Sequence, residues 1–288
     1  AGRRGGRTGR AGVVAAEALG RIGGEKAVAA VLAAVSRAAD RSMEHSLFYA
    51  LIEAGRPVPL IAALDSQDPR MVRAALYGLD QMGLRLPEPV IPRDRVLALC
   101  DADDPAVRDA AWWVASQHPE WVATLAGRFE SQLKRASEAP PEEADTVVGL
   151  VARLTARPAA ADAIAAIYRA QSSVETAVIR RTALAVMRAA RPAATPKSWF
   201  DALAAVVAAE PGVASTDDVS AAIQTLAGLS LDPAQRSAIR PAALAIATAA
   251  SSSPRVCALA LQVAGSGPEG LPPALVDRLV GMLDAGDE

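Results

Sequence analysis

A helix-start signal returns through this chain at a nearly fixed interval. Asp68-Pro69 opens an apolar helical pattern, and Asp104-Pro105 opens another 36 residues later. Thr195-Pro196 and Asp232-Pro233 repeat the signal, 37 residues apart. Each pair reads as a helix N-cap followed by proline at the first helical position, where the missing N–H costs nothing. A start signal at that period predicts stacked helical hairpins, because one hairpin cannot bury its own apolar face and must share it with neighbours. Such a fold is a surface for holding something.

Composition agrees. Alanine supplies about 23% of the residues and is the best intrinsic helix former, with a side chain small enough for close helix packing. No sustained period-two alternation marks strands, and neither Asn-Gly nor Asp-Gly is present. The prediction is all-α: a right-handed α-solenoid of about eight helical hairpins. The pairs are expected near 11–22 and 25–39, 42–54 and 57–65, 69–83 and 92–101, and 105–117 and 119–137. The second half continues with 141–157 and 159–171, 173–190 and 196–210, 214–228 and 233–250, and 254–265 and 271–284. The helix over 233–250 is expected to break at Pro241. Prolines such as Pro57, Pro87, Pro119, Pro158 and Pro211 fall between these helices, where they do no damage. In the third pair, Val72, Ala75, Leu76, Leu79 and Met82 form one stripe at helical spacing, and Val107, Ala111, Trp112, Val114 and Ala115 continue it in the fourth.

Residues 1–10, rich in Gly and Arg, read as a basic flexible arm, a remnant, or the edge of a larger protein; a chain that begins inside a repeat looks excised. They carry no apolar run of the kind a secretory leader needs. The acidic stretch 137–145, with Pro140 and Pro141, reads as a turn between repeats or a soft hinge, and the turn is favoured because helical patterning resumes at once.

A formal net charge of −2 gives no global pull toward nucleic acid. Arginine outnumbers lysine 27 to 3 and asparagine is absent, a bias that GC-rich codon usage explains more simply than an anion-binding surface. No apolar run reaches the 18 or so residues that a membrane span needs. Cys100 and Cys257 sit in apolar helical stretches, too far apart in a layered array to pair.

Catalytic and metal signatures are missing. His45 and His118 fall in different repeats and cannot make a helix-borne zinc pair. Glu44-His45 reads as an exposed first-turn pair, and His118 as a cap for the helix carrying Trp121. Neither a nucleophile elbow nor a phosphate loop is present, and Gly20, Gly23 and Gly24 read as helix ends and close-packing points. No catalytic residue, cofactor or metal ligand is therefore assigned. Trp112, Trp113 and Trp121 cluster around one turn. Adjacent residues on a helix point about 100° apart, so one of Trp112 and Trp113 should fill the core and the other border a groove. They are the first candidates for a partner-binding hot spot. Arg93 and Arg95 join them as part of a stripe with Arg70, Arg73 and Arg108, although Asp65, Asp68, Asp94, Asp101 and Asp104 are near enough to pair with it locally.

The strings AGVVAAEALGRIGGEKAVAAVLAAV (11–35) and DPRMVRAALYGLDQMG (68–83) resemble HEAT repeats, the group that includes the PBS-lyase-type bacterial units. MEHSLFYALIEAG (43–55), RAALYGLDQMG (73–83) and ASQHPEWVATLAGRFES (115–131) further resemble the HEAT region of large multidomain dehydrogenase-like proteins of planctomycete-type bacteria. Those place a sugar-dehydrogenase-like propeller before the HEAT region and a c-type haem domain after it. The chain has no Cys-x-x-Cys-His, so it cannot attach such a haem itself. The resemblance implies a helical spacer, periplasmic or secreted, whose redox chemistry lies in other domains; a lyase or cofactor-attachment helper is a weaker implication of the PBS-lyase-type units. The reading from the residues is a non-catalytic scaffold that presents a curved face to a protein or peptide. In HEAT folds the second helix of each pair lines the concave side, here 25–39, 57–65, 92–101 and 119–137.

Overall fold

The computed structural model describes residues 5–38, 40–83, 91–170, 176–210, 213–265 and 270–284. Among the described residues the chain is all-α, with seventeen α-helices. It divides into two compact units, residues 1–119 and 120–288.

The first unit holds α1 (Gly5–Ile22), α2 (Glu25–Val35), α3 (Arg41–Ala54), α4 (Pro57–Ala63), α5 (Pro69–Gly83), α6 (Arg93–Leu99) and α7 (Pro105–Ser116). These are the expected hairpins to within a few residues. The first helix of each pair packs on the next, α1 on α3, α3 on α5 and α5 on α7. The second helices back this row, α2 against α3 and α5, α4 against α5, and α6 against α7. The shared stripe is as expected: Val72, Ala75, Leu76, Leu79 and Met82 of α5 and Val107, Ala111, Trp112, Val114 and Ala115 of α7 are all buried.

Residues 5–10 are not a free arm. They form the first turns of α1, while residues 1–4 lie outside the described residues. The reason is the closeness of α1 to α3: a Cβ added at Gly20 would stand 2.9 Å from the Ala50 Cα. With that packed length as nucleus, each further helical residue costs little.

The second unit holds α8 (Val122–Ala126), α9 (Phe129–Glu138), α10 (Pro141–Leu154), α11 (Pro158–Ala170), α12 (Ala177–Ala190), α13 (Lys197–Val207), α14 (Thr216–Ala227), α15 (Pro233–Thr248), α16 (Pro254–Ala264) and α17 (Pro273–Asp284). Here α10, α12, α14 and α16 pack in sequence, and α11, α13, α15 and α17 form the row behind them. In each unit antiparallel helix pairs stack layer on layer, the arrangement of an α-solenoid.

Two details differ from the sequence reading, and one agrees with it. The helix expected over 119–137 is a 3-10 turn, Pro119–Trp121, then α8 and α9, with the break at Gly127-Arg128. The acidic stretch 137–145 holds the short turn favoured from the sequence: only Ala139 and Pro140 separate α9 from α10, and both helices pack on each other and α9 on α12. Pro241 does not break α15, which runs from Pro233 to Thr248. Pro241 and Ser237, whose carbonyl it orphans, are both exposed, so water can take that carbonyl and the ring displaces nothing. Pro87, Pro211 and residues 173–175 lie outside the described residues.

The start signals divide as well. Asp104 accepts a hydrogen bond from the Val107 N–H, Asp68 from the Arg70 N–H, and Asp232 closes a full capping box with Gln235. Thr195 does not cap. Its Oγ1 and its backbone N–H both donate to the Ser230 carbonyl, and the Gln235 side chain donates to the Thr195 carbonyl, so the segment ties one repeat to the next.

Arginine completes the layering. Arg70 donates to the carbonyls of Ser36 and Ala38 past the end of α2, and Arg95 to Ile61 at the end of α4. Arg240 donates to Ala264, Gly265 and Gly270, and Arg278 to Ala247, Ala249 and Ser252. Helix C-termini leave four carbonyls unpaired, and a planar guanidinium can satisfy two or three at once, which lysine cannot do with fixed geometry. Much of the arginine excess thus has structural work in the described residues. Both cysteines are buried, one in each unit, and neither is in a disulfide.

Candidate functional site

In the first unit, helices α3, α5 and α7 begin after aspartates at 40, 68 and 104. Nine residues on from each stands an aromatic: Tyr49, Tyr77 and Trp113. Equal distance from a common start puts these side chains on the same face of three successive stacked helices. The rings meet. Phe48, beside Tyr49, lies 6.0 Å from Tyr77 with the ring planes tilted by 38°. Tyr77 lies 5.3 Å from Trp113, edge to face at 65°. Phe48, Tyr77 and Trp113 are half-buried, and Tyr49 is 54% exposed. The result is a continuous aromatic ladder open to solvent on one side.

Charges flank it. Arg73 of α5 lies 3.6 Å from Glu44 of α3. Burial pushes the Tyr77 phenol above its ordinary range, Arg73 draws it back, and Asp109 and Glu44 add to the rise. One helical turn toward the N-termini of α3 and α5 is a cleft of about 450 Å³, walled by Val35 and by Asp40, Arg41, Glu44, Arg70 and Arg73. Most of these charges are committed. Asp40 caps Met43 at 2.8 Å, Glu44 faces Arg73, and Arg70 holds the end of α2. Arg41 makes no hydrogen bond or ion pair among the described residues.

The residues singled out from sequence fare differently. Trp112 is 1% exposed, and its Nε1 donates to the Cys100 carbonyl at 3.0 Å. It anchors the core, and Trp113, next to it, borders the groove. Trp121 belongs to the second unit and is buried there. Arg95 donates to the Ile61 carbonyl at 2.8 Å and pairs with Asp65 at 2.7 Å, so its guanidinium is a clamp on α4. Arg93 is exposed at the start of α6. His45 is exposed in the first turn of α3.

His118 faces a buried acid. Its Nε2 lies 3.8 Å from Oδ1 of Asp80, a carboxylate 4% exposed in α5 that also accepts from Gln81 at 2.9 Å. Burial raises the Asp80 pKa above the ordinary aspartate value of 3.8, against the lowering pull of Gln81 and His118. Sequence reading missed this pair, although Asp80 falls four residues after Leu76, a position where the helical stripe calls for an apolar residue.

The second unit offers a cleft of about 380 Å³ among Val207, Glu210, Val219, Ile246, Ser252 and Val256. Its one ionisable lining residue, Glu210, is exposed. Among the described residues no three His, Cys, Asp or Glu side chains stand together as a metal site, and no helix is long and apolar enough to cross a membrane.

No protein-family model matches the chain, and no curated protein does. Among solved structures it is similar to an engineered protein, at 15% identity over 93% of this chain and 77% of that one, with a TM-score of 0.44. It is also similar to a designed armadillo repeat protein, at 14% identity over 85% of this chain and 98% of that one, with a TM-score of 0.29. The all-α assignment rests on the helices and their packing.

Proposed function

We propose that this chain is a non-catalytic interaction module whose contact face is the first-helix row of the first unit. One observation carries this reading: the half-buried rings of Phe48, Tyr77 and Trp113, with Tyr49 exposed beside them, reach the surface while the apolar stripe of α5 and α7 is buried. Solvent exposure of stacked aromatics is unfavourable for a protein with nothing to bind, and Trp and Tyr are the residues that concentrate binding energy at interfaces. The reading departs from the second-helix face expected from the sequence, because the exposed aromatics lie on α3, α5 and α7.

The test is selection of displayed peptides on the whole purified chain, followed by hydrogen exchange with a selected peptide bound. Protection centred on α3, α5 and α7 is expected. Failure to select any saturable binder, or protection confined to the second unit, overturns it.

The narrower reading, a HEAT-type spacer between a propeller and a haem domain, has only the sequence resemblance of residues 11–131 behind it. Its test is the neighbouring coding sequence, which should encode a propeller upstream and Cys-x-x-Cys-His downstream.

A further inference from the structure

We infer that copies of this chain associate head to tail, the outer face of α1 in one protomer packing on the outer face of α17 in the next.

The first helix carries two apolar faces. One is turned to α3: Ala16 and Gly20 are buried, Gly20 lies against Ala50, and Gly12 abuts Met43. On the other, Ala11, Val14, Ala15, Ala18 and Ile22 recur at steps of three and four residues. All five are exposed, Val14 at 64% and Ile22 at 76%. At about 100° per residue this stripe lies opposite Ala16 and Gly20. A helix on a surface needs one apolar stripe, and a second one opposed to it is the pattern of a helix covered from both sides.

The last described helix repeats the feature. It packs on α15 and buries Leu275, while Val276 and Val280, one turn apart, are 44% and 50% exposed. Leu271, just before the helix, is 43% exposed. At about 100° per residue both valines face well away from Leu275. Stacked repeats need polar outer faces on their outermost helices to stay apart in solution. Neither α1 nor α17 has one among its described residues.

Charge selects what covers these faces. Residues 1–22 carry Arg3, Arg4, Arg7, Arg10 and Arg21 against Glu17. Arg21 leans on Glu53 of α3 at 3.9 Å, which still leaves a surplus of positive charge. Residues 277–288 carry Asp277, Asp284, Asp287 and Glu288 against Arg278, whose guanidinium is already held by the Ala247, Ala249 and Ser252 carbonyls. Two α1 faces brought together would set like charges side by side, and so would two α17 faces. An α1 face on an α17 face sets opposite charges together around two apolar strips. Such a contact joins unlike surfaces, so each added protomer offers one free face of each kind and growth need not stop at two.

The experiment is sedimentation of the whole purified chain. A strip one helix wide is a small interface, so association should be weak and should grow between about 5 and 300 μM. It should weaken as salt rises from about 0.05 to 0.5 M, a check that needs no variant. Two double variants test the faces, one with Val14→Glu and Ile22→Glu, the other with Val276→Lys and Val280→Lys. The substituted side chains are exposed, so helical signal should be unchanged. Each variant alone should associate at least tenfold more weakly than the unmutated chain. Mixed, the two should form a one-to-one pair and nothing larger, because each retains the face that the other lacks; that recovery also shows both to be folded. A chain that stays monomeric over the whole range overturns the inference. Self-association that survives in either variant alone points to like faces meeting and overturns it as well, and so does a mixture that recovers nothing.

Discussion

The ten aromatic side chains divide five and five between the two units, and the two sets are used in opposite ways. In the second unit Trp121, Phe129, Tyr168, Trp199 and Phe200 are all buried. Trp199 is fully covered, with its Nε1 donating to the Ala161 carbonyl at 2.8 Å, and Tyr168 lies under the Arg180 guanidinium at 4.9 Å. In the first unit only Trp112 is buried; Phe48, Tyr77 and Trp113 are half-buried and Tyr49 is exposed. An alanine-rich stack needs large side chains somewhere to fill its layers, and the second unit spends its aromatics there. The first fills its core with Leu, Val, Met and the single ring of Trp112, and leaves its other four aromatics partly or largely exposed. The same scaffold thus buries its aromatics in one region and leaves most of them partly exposed in the other.

The strongest way to break this contrast is Leu76→Asp. It buries a charge in the stripe shared by α3, α5 and α7, at a cost above about 4 kcal/mol. Calorimetry should show the first unit's transition lost and helical signal from the second retained; an unchanged melt would mean that the stripe is misassigned. Next is Trp199→Ala, which removes a buried ring and strands a carbonyl, costing about 3–5 kcal/mol. Trp113→Ala should cost under about 1 kcal/mol, since a half-exposed ring loses little burial. Urea midpoints of the two variants measured side by side decide the matter: similar losses would erase the division between core and surface aromatics.

Between these extremes lies Arg95→Lys, which keeps the charge but loses the fixed fork that spans Ile61 and Asp65. A loss of about 1 kcal/mol is expected, from one net hydrogen bond. Equal stability would show that the guanidinium geometry is incidental.

The smallest effect is in pH dependence. Asp80 has its pKa raised on folding, chiefly by burial, so its contribution is full below 3.8 and is lost as pH rises through the raised value. Asp68 is the reverse: the Ser36 hydroxyl bond holds its pKa below 3.8, so its contribution is present above that value and fades as pH falls through the lowered one. The midpoint difference between Asp80→Asn and the unmutated chain should therefore grow in favour of Asn with rising pH. The difference for Asp68→Asn should shrink on acidification. A flat difference in either case would contradict the assigned cause.

Helix placement was readable because proline and N-cap residues act locally. Asp104-Pro105 and Asp232-Pro233 name their helix starts without help from the rest of the fold. Thr195-Pro196 misled because its hydroxyl found a better acceptor, the Ser230 carbonyl, which only the stacked neighbour supplies. Pro241 misled because its cost depends on exposure, which local sequence does not state. The proposed contact face was half readable. Trp112 and Trp113 had to point apart, and they do. That Tyr77 and Trp113 share a face follows from their common offset from Asp68 and Asp104; that Phe48, one residue short of the same offset from Asp40, meets Tyr77 is set by the packing of α3 on α5, which local sequence does not state.

The cross-repeat donors run both ways along the chain. Arg70 reaches back to Ser36, Arg95 to Ile61, Gln262 to Ala227 and Arg278 to Ala247, while Thr195 reaches forward to Ser230 and Arg240 to Ala264. During synthesis from the N-terminus, a carbonyl whose donor comes later waits open until the ribosome has delivered the next repeat, and a donor whose acceptor comes later waits in its turn. In either direction a repeat's hydrogen bonding is completed only by its neighbour, so an arrested nascent chain carries an unfinished edge at its C-terminal end.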